Sequence, residues 1–146
     1  MVNQSTAIMT IDFGNAHDRH WNDAETLREN GRLANADHLY GFSAECGLKA
    51  LMQSFGMSVH DGEPADRRDW KHVDQLAERY ETYRSGSTCP NAASYVLANE
   101  NAFNDWRASQ RYAVESAFTN NRVDAHAAGA REVRDLVKTA RREGLL

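Results

Sequence analysis

The sequence predicts an all-α fold, an antiparallel bundle of four or five helices. Three observations lead there. Only two prolines occur in 146 residues, so long stretches are free of the residue that most strongly breaks helices. Two segments, one from Val73 to Tyr83 and one from Val123 to Ala140, repeat their apolar residues at helical spacing. A third, "NADHLYGFSAECGLKALMQSFGM" from Asn35 to Met57, is apolar on nearly every side. With 41% apolar and 26% charged residues the composition is that of a folded chain, and its length suits one domain whose core needs no staples.

Residues 1–17 read as an N-terminal arm, with Ile8, Ile11 and Phe13 as its large branched or aromatic residues, and residues 18–146 as the helical domain. The first helix is expected from Asp18 to Asn30, with Trp21, Ala24, Leu27 and Arg28 on one side and Gly31 as its stop. Asn35 is placed to cap a second helix through Phe55. On a wheel of about 100° per residue, Leu39, Phe42, Cys46 and Ala50 form one apolar stripe, and Tyr40, Ala44, Leu48, Leu51 and Phe55 form another. Only His38, Glu45 and Lys49 leave a narrow polar line between them. Such a helix is central, touching neighbours on two sides. Gly41 and Gly47 leave room for another backbone, at about 1 kcal/mol each relative to Ala.

The loop "GMSVHDGEPAD" follows, and Asp66 or Asp69 can cap a third helix to Tyr83, with Val73, Leu76, Ala77, Tyr80 and Tyr83 on one face. After the loop "RSGSTCPN", "AASYVLANEN" reads as a short helix, and "FNDWRASQRYAVESAF" as helical or partly extended. The last helix spans Arg122 to Glu143, with Val123, Ala127, Ala130, Val133, Val137 and Ala140 on one face and Gly144 as its end.

Several function classes have no support. The chain lacks GxxxxGK[ST], GxGxxG after a strand, GxSxG and HExxH, which removes nucleotide-loop, hydrolase and zincin chemistry. Cys46 and Cys89 form no CxxC and neither has a nearby His to lower its pKa, so neither a zinc site, a disulfide framework nor a cysteine nucleophile is expected. No metal or other cofactor is called for. A segment apolar enough to span a membrane is not seen, nor is a basic leader, so the expectation is a cytoplasmic protein without membrane contact. Charge is uneven: residues 1–106 hold 9 Lys and Arg against 16 Asp and Glu, whereas residues 107–146 hold 8 against 5. The C-terminal third is therefore the candidate phosphate-binding region, with salt-sensitive RNA binding as its consequence, unless its cations are simply solvated helix charges.

The segment "HLYGFSAECGLKALM", followed in order by "KHVDQLAERY", "DWRASQRY" and a closing amphipathic helix, resembles HEPN domains over residues 18–143. The resemblance implies a homodimer from a bacterial, archaeal or mobile-element setting of toxin–antitoxin pairs or phage defence. Many such domains are metal-independent ribonucleases. Others are non-catalytic modules that bind a nucleotidyltransferase or other antitoxin-like partner, a nucleotide or RNA. The ribonucleases carry Arg, four to six residues, then His: Arg grips the phosphate and His handles the 2′-hydroxyl proton or the leaving oxygen.

Two literal matches occur, Arg32 with His38 and Arg67 with His72, where about two are expected by chance. Arg32 lies in an early turn and Arg67 in a loop before the third helix, whereas the family places its pair near the final helices. There "NNRVDAHAAGA" offers Arg122 and His126, one residue short of the pattern but on one helix face. These are the candidate catalytic residues, with Arg111 and Asn121 as RNA-binding helpers and His38, Glu45 and Lys49 as a partly buried brace behind them. His126 can equally be a hydrogen-bonded core residue, and the polar line can equally face solvent. The shortened motif favours the binding module, with the ribonuclease as the alternative.

Overall fold

The computed structural model describes residues 9–146; Ile8 and the part of the expected arm before it lie outside the described residues. Among the described residues four α-helices form: α1 (Phe13–Glu29), α2 (Leu33–Ser54), α3 (Ala77–Ser85) and α4 (Asn120–Arg142). A two-residue antiparallel ladder, β1 (Val59–His60) with β2 (Glu63–Pro64), is the only strand pairing among the described residues. The remainder of the chain between Phe55 and Thr119 consists of loops and single 3₁₀ turns. Among the described residues no helix is long and apolar enough to cross a membrane.

α1 begins at Phe13, ahead of Asp18, because Asp12 caps it by accepting the Asn15 N–H at 2.9 Å. At its other end Gly31 takes φ +73°, Gly31 N donates to Arg28 O and Arg32 N donates to Leu27 O. This paired closure reverses the chain so abruptly that α2 starts at Leu33, and Asn35 lies within the first turn instead of capping it. Gly144, at φ +77°, ends α4 by the same arrangement.

Thirteen of the 22 residues of α2 are buried. Tyr40, Ala44, Leu48, Leu51 and Phe55 are the fully covered stripe, and Leu39, Phe42 and Cys46 are half-buried. α1 and α4 both pack on α2 and meet at Gly47, where an added methyl group would touch His17 of α1 as well as Val133 of α4. α1 runs antiparallel to both α2 and α4, as His17 beside Ser43 and Asp18 beside Arg141 show. Asp37 meets His126, Gly47 meets Val133 and Ser54 donates to Leu145 O, so α4 runs parallel to α2. The long connection through residues 55–119 makes this crossing possible by returning the chain to the start of α2 before α4 begins.

That connection is less helical than its sequence suggests. Asp66 caps only a 3₁₀ turn, Arg67–Asp69, and a second such turn covers Val73–Gln75 before α3. The buried Asp69 caps nothing. It accepts from Arg79 Nε at 2.6 Å and Tyr83 OH at 2.5 Å, tying the loop to α3. Ala92–Tyr95, Ala108–Tyr112 and Glu115–Ala117 are again 3₁₀ turns. Aromatic residues of the connection nonetheless reach the core: Tyr80, Tyr95 and Trp106 are fully buried, and Tyr80 OH donates to Tyr95 O.

Part of the positive excess of the C-terminal third is consumed by packing. Arg134 and Arg141 bind Asp18 on α1, and Arg131 and Arg134 lie over the Trp21 ring. Gly41 and Gly47 do admit close neighbours, but these are side chains instead of a backbone. A methyl group on Gly41 would stand 2.1 Å from the Trp106 indole nitrogen, and one on Gly47 2.6 Å from Val133. Gly41→Ala should therefore displace Trp106 and cost about 1–3 kcal/mol in denaturant unfolding, as overpacking does. An unchanged midpoint would show that the indole is not seated against α2.

Candidate functional site

Helical spacing places Arg122 and His126 one turn apart at the start of α4, where Thr119 caps the helix by accepting the Arg122 N–H. His126 is completely buried, and both of its nitrogens are engaged. Nδ1 lies 2.6 Å from Asp37 Oδ1 and Nε2 lies 2.7 Å from Asp105 Oδ1. Phe103 stacks on the ring at 5.5 Å. A ring flanked by two carboxylates donates at both nitrogens when protonated. Burial acts to lower the His126 pKa, but the hydrogen bonds and charges of Asp37 and Asp105 outweigh it and the net shift is upward. Burial acts to raise Asp105, and the bonds and charges of His126 and Arg122 reverse it.

The same carboxylates occupy Arg122. Its Nη1 donates to Asp105 Oδ2 at 3.1 Å, its Nη2 to the Asp105 carbonyl, and its Nε stands 3.9 Å from Asp37 Oδ2. Asp37 is fully buried, and its second oxygen accepts from Gln110 Nε2 at 2.7 Å. Asp37, Asp105 and Gln110 thus belong to the site although no sequence motif contains them. Asp37 left a signal, a carboxylate on the buried side of an apolar helix. Asp105 left none, because its place is set by a loop.

The other candidates stand elsewhere. Arg111 is exposed and stacks on Tyr112, and Asn121 is exposed in the first turn of α4. His38 stacks on Trp106, whose indole donates to the Asp37 carbonyl, so it reaches the network only at one remove. Glu45 and Lys49 do not brace Arg122 and His126. They form a buried pair at 3.6 Å, and Glu45 Oε1 accepts from Val73 N at 3.0 Å while lying 2.9 Å from His72 Nδ1. The polar line of α2 is therefore not a solvent-facing one at Glu45 and Lys49. Cys46 is not a nucleophile here, since burial and then the charge of Glu45 push its thiol up to about 12.

Glu45 leads to a second site. His72 is about half-exposed and lies in a groove with Arg67, Trp70, Lys71, Arg107 and Ser109. Among the described residues its Nε2 makes no hydrogen bond. Trp70 is 50% exposed, fixed by donation from its indole to Pro64 O at 2.7 Å and overlain by Arg67. Three cations face a single carboxylate, Asp74, which Arg107 approaches at 3.4 Å. Arg67 and His72, dismissed in sequence as a chance match, share this groove. The adjoining surface is acidic, with Glu78, Glu81 and Glu100. Among the described residues no group of three His, Cys, Asp or Glu side chains is placed to hold a metal ion. Comparison with protein-family models, with curated proteins and with solved structures finds no match for this chain.

The raised His126 pKa fixes a sign. The folded chain keeps a proton that the unfolded chain loses, so the contribution of His126 is complete below about pH 6.5 and fades as pH rises through its higher folded value. His17 acts oppositely. Burial lowers its pKa, the Ser43 carbonyl only partly offsetting it, and its Nε2 is buried without a partner among the described residues. Wild type should therefore lose stability relative to His126→Gln as pH is raised above 6.5. Parallel stability–pH curves for the two proteins would contradict the doubly bonded, charged ring.

Proposed function

We propose that this chain is a HEPN-like binding module that holds single-stranded RNA in the Trp70 groove, and that Arg122 and His126 are not its ribonuclease pair. The observation that carries the reading is the state of His126. A general acid–base needs a nitrogen free to meet the 2′-hydroxyl, and both are held by buried or bridged carboxylates. The groove supports the RNA half of the proposal. An exposed, hydrogen-bond-fixed indole gives a base a flat face, and Arg67, Lys71 and Arg107 supply phosphate contacts. The homodimer and an antitoxin-like protein partner implied by the resemblance belong to the same proposal.

One observation favours a second reading, a metal-independent ribonuclease centred on His72. Glu45 orients its Nδ1 while Nε2 stays open to the groove, the arrangement in which a carboxylate aims an imidazole. His72 would then accept the 2′-hydroxyl proton while that oxygen attacks phosphorus and the 5′-oxygen departs, with Arg67 or Lys71 holding the phosphate.

Labelled single-stranded RNA titrated at rising salt should bind at low salt, weaken as salt rises, and bind Trp70→Ala about fivefold or more worse, in line with the loss of one base stack. Failure to bind at low salt overturns the RNA reading. The same RNA incubated in excess EDTA should remain intact. Cleavage that disappears in His72→Ala would replace the binding module by the ribonuclease.

A further inference from the structure

Trp70 borders two spaces. With Arg67, Lys71, His72 and Arg107 it lines the cationic groove. With Ile11, Phe13, Lys49, Glu63 and Pro64 it lines a separate recess of about 180 Å³. Arg67 lies over the indole and belongs to the groove but not to the recess, so a cation already covers part of the ring on the groove side. The recess is smaller than the roughly 300–1,000 Å³ of sites for drug-sized ligands, which suits it to one planar ring system. We propose that it receives one base of the single-stranded RNA in the neighbouring groove, and that it selects guanine through the Glu63 carboxylate.

The walls of the recess are fixed before any ligand arrives. Asp61 and Gly62, at φ +51° and +81°, form the two-residue turn that pairs His60 with Glu63. A methyl group on Gly62 would stand 2.8 Å from Ile11 Cβ, so the segment ahead of α1 lies against this turn. The Trp70 indole donates to Pro64 O at 2.7 Å, which ties a third wall to the same hairpin. A base entering such a site does not bear the cost of ordering it. Recess and groove are also joined through buried charge. Lys49 of the recess stands 3.6 Å from Glu45 Oε2, and Oε1 of the same carboxylate lies 2.9 Å from His72 of the groove. Trp70 is the wall common to both, so a strand whose phosphates meet Arg67, Lys71 and Arg107 passes the recess at the width of one indole.

Glu63 supplies the selectivity. It is exposed, and its carboxylate makes no hydrogen bond or ion pair among the described residues. An ionised carboxylate accepts through two oxygens and donates nothing. Guanine is the one RNA base with two adjacent N–H donors on its Watson–Crick edge, N1 and the exocyclic amine, and a carbonyl oxygen stands beside them. The donors match Glu63, and the carbonyl matches Lys49, which only donates. Stacking on Trp70 adds a contribution that every base shares. The guanine site rests on the RNA reading of the groove, and its test separates the two.

Fluorescence anisotropy of a labelled oligouridine at low salt, beside the same strand carrying one central guanosine or inosine, tests it. Inosine keeps the carbonyl and N1–H of guanosine and lacks the exocyclic amine. Wild type should bind the guanosine strand about tenfold tighter than the inosine strand, the gain expected of one more charge-assisted hydrogen bond, and tighter still than the all-uridine strand. Glu63→Gln, a change at an exposed position that leaves the core intact, should bring the guanosine-to-inosine ratio to about one. Relief of repulsion alone would raise all three affinities together, so an unchanged ratio in Glu63→Gln overturns the proposal. Equal binding of the three strands by wild type also overturns it, while the groove stands as an RNA surface. Failure of every strand to bind overturns both.

Discussion

Two carboxylates buried on the central helix determine where the irregular half of this chain docks. α2 is covered on both sides, yet Asp37 and Glu45 project from it into regions that water does not reach. A buried charge without partners costs several kcal/mol, so each must recruit donors. Asp37 recruits Gln110, His126 and, more distantly, Arg122. Glu45 recruits Lys49, His72 and the Val73 amide. Through these contacts the 55–119 connection, which has little regular hydrogen bonding of its own, acquires defined positions at two points along α2.

The same constraint accounts for the contrast between the two histidine sites. His126 is built into the core between two carboxylates and serves as a counter-ion, whereas His72 is fastened through one nitrogen and presents the other to a groove. Identical side chains thus receive opposite roles from their burial and from the carboxylates beside them. Trp106 links the two regions: its indole seats against Gly41, donates to the Asp37 carbonyl and stacks on His38, and His38 in turn meets Phe42 beside His72.

The parts of this architecture legible in sequence are those set by local periodicity. The apolar stripes of α2 and α4 gave both helices, and Gly31 and Gly144 marked the ends of α1 and α4 through backbone conformations that few other residues adopt. The two-sided burial of α2 was readable from its all-round apolarity. That α4 packs directly on α2 was not, because the same apolar face of α4 could lie against any neighbouring helix. Nor was the 3₁₀ character of Val73–Gln75, where an apolar spacing shared with an α-helix is overridden by the tie from Val73 N to Glu45. For the candidate sites, Arg122 and His126 could be seen as one pair on one face. Their occupation by Asp37 and Asp105, and the groove that gathers Arg67 with His72, arise from contacts between distant segments that no spacing encodes.

Amide hydrogen exchange on Glu45→Gln beside wild type tests most directly whether buried charge on α2 positions the connection. The neutral amide keeps the shape of the side chain but weakens its hold on His72 and Val73. The account predicts that protection falls at Val73 and its neighbours while α1, the remainder of α2 and α4 keep theirs. Unchanged protection at Val73, or a uniform loss across all helices, would contradict it, since either result would mean that the connection docks without the carboxylate.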